Sequence, residues 1–386
     1  MEEYDVIVVG AGYGGLIAAE TSAKNGAKTL LLEKSREMGE PVTDTGAVHI
    51  DAIKQFDIDE DLLLNPFYGV KIYTPNEEYV TIDAEKEIGF MVERKQFFKR
   101  LAKRAIDFGV EIKVGHKVTD VITEGDAVCG VATQKDGGQN KFKSNITIAS
   151  DGTNSTVVRK SGISKSGDFL ICREFELLGA KMDTDRYMQI FLGNKFAPGH
   201  AAWIYPVTKS HIFFGTAILE SKAKGTIHDY VEQSWKTKMI SDKLNNARCI
   251  EEHIGFIPTT GPLEKTYGDG IMAIGDAAGQ TDPVASEGIR YAMICGEIAG
   301  KIASDAVSQE DFSKDFLSKY EAEWKQKVGK NFEYSMVARK ILNRSTDSMI
   351  NMVFKPLKRS ESTLDGFKNV LRTGKYPESD LPFFKK

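Results

Sequence analysis

Three glycines near the start of the chain have the spacing of a phosphate-binding turn. Gly10, Gly12 and Gly15 follow a β-branched run at residues 6–9 and form the pattern G-x-G-x-x-G. The first glycine of such a pattern permits a tight turn, the second lets the backbone approach a pyrophosphate, and the third lets the next helix pack closely on the strand. The phosphate charge then meets N–H groups at a helix N-terminus. The pattern therefore predicts a dinucleotide site, to which we also assign Gly14.

An acidic residue supports this interpretation. Glu33 ends a second apolar strand, about 20 residues beyond the glycines, where a carboxylate accepts hydrogen bonds from an adenosine ribose. Lys34 follows it and is assigned to the same site. A glycine turn without a ligand is the alternative for an isolated motif, but here the strand, the small-residue helix, the second strand and the acid agree. These residues leave open whether the nucleotide belongs to FAD or to a nicotinamide.

Two later motifs favour FAD. The first, A-S-D-G-T-N-S at 149–155, places an acid and a glycine at the end of a strand. In the second, at 271–293, the acid can accept a ribityl hydroxyl, and a helix N-terminus beyond it can stabilise negative charge on a reduced flavin. The alternative for each acid is a helix cap or a solvated turn. The residues assigned to the cofactor from these motifs are Asp151, Gly152, Gly275, Asp276, Pro283, Gly288 and Ile289.

In this order, over residues 4–300, the motifs resemble those of the FAD-binding flavoproteins related to p-hydroxybenzoate hydroxylase. The resemblance implies that Arg94 lies along the ribityl and phosphate part of FAD, and Val118 is assigned to the same site. Within that superfamily the chain is similar to the geranylgeranyl reductases, flavoenzymes that saturate isoprenoid double bonds. The segments that carry this likeness are G-F-I-P at 255–258, G-P at 261–262, G-D-A-A-G at 275–279 and W-I-Y-P at 203–206.

The W-I-Y-P segment looks like the substrate motif of that family, Y-x-W-x-F-P, in which the aromatic residues line an apolar channel. The likeness assigns Trp203, Tyr205 and Pro206 to substrate binding. Packing in the core explains the two aromatic residues equally well. The chain departs from the motif at its first position, where Ala201 stands in place of tyrosine.

A second departure lies in the loop over the isoalloxazine. Members of the family usually carry a cysteine after P-V, and this chain has Thr43 there. A thiol therefore cannot act from this loop. The candidate catalytic residues are Asp44, Thr45 and His49, with a solvated loop as the alternative, and the acid that would donate a proton to an alkene is not identified.

The order of elements predicts an α/β fold, in which a Rossmann-like FAD-binding domain with a mostly parallel sheet is joined to an antiparallel-sheet substrate domain and a C-terminal helical segment. Periodicity predicts a short helix over 52–64 and a continuous helix over 227–246. The expected domain bounds are 1–50, 85–165 and 255–310 for FAD binding, 51–84 and 166–254 for the substrate, and 311–386 for the helical region.

Composition excludes several classes of function. The 386 residues carry a formal net charge of -4, without the basic surface that nucleic acids require. Strand-forming sequence begins almost at Met1 and no apolar run is long enough to cross a bilayer, so a cytoplasmic location is expected. The four cysteines are scattered, without C-x-x-C spacing or a histidine cluster, and predict no metal site.

The C-terminal helices combine basic and apolar residues. Lys355, Lys358 and Arg359 lie close in sequence to an apolar group, a combination compatible with peripheral contact with a membrane. The alternative is a helix packed on the core with a solvated basic side. The apolar group consists of Met352, Val353, Phe354 and Leu357.

Three functions agree with these observations. The first is an FAD-dependent reductase of an apolar, isoprenoid-like substrate, and the others are an FAD-dependent monooxygenase of an aromatic or apolar substrate and a non-redox FAD protein such as a lipid carrier or isomerase. The chain has no second G-x-G-x-x-G for a nicotinamide. Electrons would therefore come from NAD(P)H bound without such a motif or from a reduced ferredoxin-type protein.

Overall fold

The computed structural model describes residues 1–163, 168–357 and 361–376. The strands are β1 (Glu2–Val9), β2 (Thr29–Glu33), β3 (Ala47–His49), β4 (Leu63–Phe67), β5 (Gly69–Tyr73), β6 (Tyr79–Asp83), β7 (Gly89–Val92), β8 (Glu111–Val114), β9 (Lys117–Glu124), β10 (Ala127–Lys135), β11 (Gly138–Ala149), β12 (Phe169–Leu178), β13 (Tyr187–Leu192), β14 (Ala201–Pro206), β15 (His211–Leu219), β16 (Arg248–Pro258), β17 (Tyr267–Gly268) and β18 (Ile271–Ala273). The α-helices are α1 (Tyr13–Lys24), α2 (Ile50–Gln55), α3 (Arg94–Asp107), α4 (Thr156–Ser161), α5 (Ile227–Lys236), α6 (Lys238–Leu244), α7 (Ile289–Gln309), α8 (Lys314–Trp324), α9 (Lys330–Arg344), α10 (Asp347–Leu357) and α11 (Glu361–Thr373).

The chain divides into two compact units. The first contains Met1–Val42, Arg94–Asp168 and Pro258–Glu333, and the second contains Thr43–Glu93, Phe169–Ile257 and Tyr334–Lys386. These units are defined by how compactly the chain packs. The functional domain bounds predicted from the sequence stay a prediction.

The first unit is built on a largely parallel sheet. Its strand order is β17-β18-β11-β1-β2-β8, and β10 and β9 continue antiparallel from β11. Strand β1 lies in the interior, parallel to both β11 and β2. Val6, Ile7 and Val8 are fully buried, as expected for a β-branched strand covered on both faces.

Helices α1 and α7 of this unit pack together through small residues. A Cβ atom on Gly296 would lie 2.3 Å from the carbonyl oxygen of Gly14, and one on Gly300 would lie 2.5 Å from that of Ala18. The contacts follow the same order along both helices, so the helices run parallel. Their N-termini therefore lie at the same end of the unit.

The second unit contains a seven-stranded sheet, β16-β12-β15-β14-β13-β5-β6. Strands β12, β15, β14 and β13 pair antiparallel, as do β5 and β6, whereas β13 pairs parallel with β5. Helices α5 and α6 bury one face, where Phe175, Ile204 and Phe214 lie in the core. Strand alternation places Trp203 and Tyr205 on the opposite face. A smaller antiparallel sheet, β3-β7-β4, belongs to the same unit. The predicted fold class, with its parallel-rich sheet, antiparallel sheet and C-terminal helices, is confirmed.

Two helix predictions were wrong in extent. Instead of one helix over 52–64, helix α2 ends at Gln55 and a 3-10 turn at Glu60–Leu62 leads into β4, where the ladder with β7 satisfies the backbone. The helix expected over 227–246 is divided at Thr237, whose extended backbone ends α5 and begins α6. In both cases backbone pairing or capping overrides an amphipathic pattern.

The α1–α7 contact yields a prediction for stability. We expect Gly296→Ala to lower the free energy of unfolding by roughly 1–3 kcal/mol, because the added methyl group meets a backbone carbonyl that cannot move freely. Gly138→Ala is the control, since its Cβ would lie 3.5 Å from the nearest atom, the carbonyl oxygen of Lys135. Thermal and urea unfolding of the two variants measure the difference. Equal stability would contradict the proposed tight packing.

Candidate functional site

The glycine turn leaves an open space at the start of α1. A Cβ on Gly10 would lie 2.3 Å from the carbonyl oxygen of Ser150, and one on Gly15 would lie 2.0 Å from that of Gly10, so the fold requires both glycines. At Gly12, by contrast, a Cβ would meet nothing within 4 Å. Gly12 is also the N-cap of α1, and no side chain caps this helix. The space beside Gly12 is therefore open and lies at a helix N-terminus, where backbone N–H groups favour an anion.

Glu33 joins the end of β2 to this turn. Its Oε2 accepts a hydrogen bond of 2.8 Å from the Ala11 N–H, and its Oε1 accepts one of 2.8 Å from the Ser35 N–H. A carboxylate has about four acceptor positions, so both oxygens can still accept a ligand hydroxyl. Lys34, the next residue, is exposed.

A second helix N-terminus without a side-chain cap is that of α7, whose N-cap is Gly288. Asp276 stands in the 3-10 turn Gly275–Ala278 after β18, and its Oδ1 accepts a short hydrogen bond from the Thr281 hydroxyl. A Cβ on Gly288 would lie 3.3 Å from Thr281 Oγ1 and 3.7 Å from Asp276 Oδ1. The structure thus brings an acid, a hydroxyl and a helix N-terminus together. Pro283 is buried before this helix, and Ile289 is its first residue.

Sequence reasoning missed Thr281, which is 2% exposed. Its hydrogen bond orients the Asp276 carboxylate, and its position inside the 271–293 motif was the available signal.

Asp151 has its hydrogen bonds within the chain. Its Oδ1 accepts from the Ser155 hydroxyl at 2.5 Å, and its Oδ2 accepts from the N–H groups of Thr156 at 2.7 Å and Val157 at 3.2 Å, at the start of α4. Burial raises the pKa of the Asp151 carboxyl, while these hydrogen bonds act to lower it. The geometry therefore supports the helix-cap alternative for this side chain. Gly152 beside it has a φ of 78° and open space at its Cβ position.

Two further cofactor candidates are buried in the first unit. Arg94 is the first residue of α3 and is 5% exposed, and Val118 of β9 belongs to the core cluster that also contains Leu32. Their assignment to the cofactor stays a prediction. For the site as a whole, the space at Gly12, the carboxylate of Glu33 and the two helix N-termini without side-chain caps fit a dinucleotide with a pyrophosphate.

In the second unit, Trp203 and Tyr205 lie on the same sheet face with ring centroids 6.5 Å apart. Burial raises the pKa of the Tyr205 hydroxyl well above its usual range, and the nearby Glu174 charge adds to this effect. Pro206 belongs by alternation to the opposite face, in register with Ile212. The structure therefore groups two of the three proposed substrate residues.

The candidate loop residues have different surroundings. The Thr45 hydroxyl donates to Glu174 Oε2 at 2.6 Å, and the Trp203 Nε1–H donates to the same oxygen at 2.9 Å. Asp44 Oδ1 accepts from the Gly46 N–H at 2.8 Å. His49 caps α2, and its Nε2 lies 3.1 Å from the carbonyl oxygen of Leu371. Of the three candidates, Thr45 is thus the one whose described hydrogen bond leads to the aromatic face.

The sequence matches those of known flavoproteins. A family model described as an FAD binding domain matches residues 3–333. The digeranylgeranylglycerophospholipid reductase of Methanocaldococcus jannaschii is 36% identical over 390 aligned residues, which cover 99% of this chain and 97% of the relative. The chain belongs to the geranylgeranyl reductase family of FAD-binding proteins. It is an FAD-dependent oxidoreductase.

Two further comparisons agree. The digeranylgeranylglycerophospholipid reductase of Methanococcus aeolicus is 33% identical, with 99% of this chain and 97% of the relative covered. The crystal structure of a geranylgeranyl bacteriochlorophyll reductase-like protein from Thermoplasma acidophilum superposes with a TM-score of 0.87 at 26% identity and covers 93% of this chain and 92% of its own. The resemblance seen in the sequence and the FAD prediction are both confirmed. When bound, FAD supplies the redox chemistry, and the protein supplies binding and electrostatics.

The open space at Gly12 gives a sharp test of FAD binding. Gly12→Val should leave the fold intact, because the residue has φ -69° and ψ 174° and its Cβ meets no atom, yet the side chain should fill the position of the pyrophosphate. We expect a folded, colourless protein, measured by circular dichroism and flavin absorbance. Gly138→Val, far along the chain in a hairpin, is the control and should stay yellow. A folded Gly12→Val protein with full FAD content would contradict the assignment.

Proposed function

We propose that this oxidoreductase saturates carbon–carbon double bonds in the isoprenoid chains of a glycerophospholipid, the substrate class in the names of its relatives. The observation that carries the proposal is the apolar sheet face around Trp203 and Tyr205. Leu170, Ala217 and Leu219 belong to the same cluster, with Ile190 and Ile257 packed against it. Such a surface recognises a hydrocarbon chain without charge, at about 0.8 kcal/mol for each CH₂ group removed from water.

The reaction requires two electrons and two protons for each double bond. FAD held at Gly12, Glu33 and the N-termini of α1 and α7 would supply a hydride equivalent for one alkene carbon, and a proton would be needed at the other. In the proposal, NAD(P)H or a reduced ferredoxin-type protein restores the reduced flavin. The two donors are distinguished by which of them bleaches the bound flavin without oxygen.

Flavin reoxidation tests the substrate directly. The holoenzyme is reduced with dithionite without oxygen and mixed with vesicles of a digeranylgeranyl glycerophospholipid. We expect the oxidised flavin spectrum to return while the lipid gains two hydrogen atoms per double bond by mass spectrometry. The fully saturated lipid is the control and should leave the flavin reduced. If a small polar acceptor reoxidises the flavin while the polyprenyl lipid does not, the proposed substrate is wrong.

A lipid substrate requires access to a membrane, and we propose that α9 and α10 provide it. Among the described residues, no helix has the length and apolar character needed to span a bilayer. Helix α10 exposes Met349, Met352 and Val353, with Met352 71% exposed, and α9 exposes Val337 and Ile341. Exposed basic residues on these helices include Lys340, Arg344 and Lys355. A mixed apolar and basic helix surface is typical of binding to anionic headgroups.

Part of the sequence-based membrane prediction falls outside the described residues. Lys358 and Arg359 lie there, as does the side chain of Leu357, and Phe354 is half-buried. The proposal therefore depends on Met352, Val353 and Lys355, together with the exposed residues of α9.

Vesicle flotation tests this surface. Each basic residue near an anionic membrane contributes about 1 kcal/mol, so the triple variant Lys340→Glu, Arg344→Glu, Lys355→Glu should lose most of its binding to vesicles that contain anionic lipid. The control reverses three other exposed lysines, Lys54, Lys117 and Lys141, and changes the net charge by the same amount. Equal flotation of the two variants would show that binding depends on net charge alone. Full flotation of the α9/α10 variant would contradict the proposed surface.

A further inference from the structure

A buried carboxylate lies on the aromatic face of the seven-stranded sheet. Glu174 of β12 is 6% exposed. It is in register with Gly215 of β15, which is in register with Trp203 of β14. Residues opposite one another on neighbouring strands share a face, so the acid, the glycine and the indole form one row across three strands.

The glycine in this row allows the indole to reach the acid. A Cβ on Gly215 would lie 2.1 Å from Cζ2 and 2.4 Å from Cε2 of Trp203. The indole ring therefore lies over Gly215, in space that any other residue would fill. The ring reaches across β15, and its Nε1–H donates to Glu174 Oε2 at 2.9 Å.

The same carboxylate oxygen also holds the loop that follows Val42. The Thr45 hydroxyl donates to Glu174 Oε2 at 2.6 Å. Hydrogen bonds to an ionised acceptor are shorter and stronger than neutral ones, and a buried carboxylate requires such donors. One atom thus fixes both a loop residue and an aromatic side chain of the sheet face.

We propose that Glu174 is a positioning residue for the substrate: it sets the plane of the Trp203 ring and ties the Thr45 loop to that ring. The identity of the ligand rests on the proposed function, whereas the anchoring does not. Trp203 and Thr45 both donate to Glu174 Oε2, so Glu174 acts as the acceptor in this network. Lipid affinity should therefore depend first on an acceptor oxygen at this position and less on its charge.

Four substitutions distinguish the effects of the acceptor, of the ring position and of the charge. Glu174→Leu removes the acceptor at similar size, Gly215→Ala displaces the ring without touching the acid, and Glu174→Gln keeps an acceptor oxygen. Glu176→Gln is the matched control, because this acid lies two residues further along the same strand and pairs with His211 at 2.7 Å. All four are assayed as holoenzymes with the geranylgeranyl lipid vesicles, and FAD content is recorded for each.

We expect Glu174→Leu and Gly215→Ala to raise KM for the lipid about fivefold, the equivalent of one lost hydrogen bond. The kcat should change by less than about twofold, since the lost interaction is one of binding. Glu176→Gln should behave as the wild type, and Glu174→Gln should have a KM closer to that of the wild type than to that of Glu174→Leu. The double variant Glu174→Leu, Trp203→Phe should be no worse than the more severe single variant, because both remove the same contact.

Indole NMR provides a readout that does not need turnover. The chain has three tryptophans, and the Trp203 Nε1–H signal is identified by its loss in Trp203→Phe. This signal should shift in Glu174→Leu and Gly215→Ala, shift less in Glu174→Gln, and stay in place in Glu176→Gln. If the wild type fails to reduce the lipid while the signal behaves as stated, the proposed function is wrong and the anchoring stands.

Three results would overturn the inference. Damage by Glu174→Gln equal to that by Glu174→Leu would show that charge or a proton is needed. An unmoved Trp203 signal in both Glu174→Leu and Gly215→Ala would show that no anchor exists. A wild-type KM in both folded variants, with lipid reduction intact, would show that the ring position does not affect binding. If Glu174→Leu does not fold, Gly215→Ala carries the same test.

Discussion

The first unit depends on the direct backbone contact between α1 and α7. With no side chain between them at Gly14 and Gly296, the two helices run parallel, and their N-termini at Gly12 and Gly288 lie at one end. Parallel helix dipoles repel one another, and each N-terminus contributes about 0.3–1 kcal/mol of attraction for an anion. An anionic dinucleotide offsets that repulsion. The glycines that permit close packing therefore also bring together two helix N-termini that favour a negative ligand.

The second unit uses a glycine in a different way. Because Gly215 has no side chain, the Trp203 ring can pack over it. The ring N–H then donates to Glu174 a hydrogen bond that water would otherwise supply. Burying a carboxylate is unfavourable by several kcal/mol, and two hydrogen bonds to a charged group return about 1.5–3 kcal/mol each. An apolar residue at position 174 could therefore be as stable. An apolar residue could not hold the Trp203 indole and the Thr45 hydroxyl in fixed orientations. The acid is therefore best explained by the orientation that it imposes on these two groups and not by a gain in stability.

Local patterns predicted the first unit well. The β-branched run of β1 and the glycine spacing each depend on neighbours in sequence, and the structure has the strand and the glycine turn where they were expected. Long-range pairing was harder to predict. Strand β4 exists because β7 satisfies its backbone, and that partner lies more than 20 residues further along the chain. The role of Glu174 could not be predicted for the same reason. Alternation gives the sheet face of a residue, but only the register places Gly215 opposite Glu174 and Trp203 opposite Gly215.

The loop that follows Val42 shows how the chain differs from its family without losing the family's fold. Thr43 replaces the usual cysteine, so the loop offers hydroxyl and carboxylate groups and no thiol. The Asp44 side chain accepts a hydrogen bond from the N–H of Gly46, two residues ahead, and the Thr45 hydroxyl donates to Glu174. These described contacts hold the shape of the loop and its distance from the Trp203 ring. A loop held in this way helps to keep the Trp203 ring in place, because Thr45 and the ring donate to the same oxygen of Glu174.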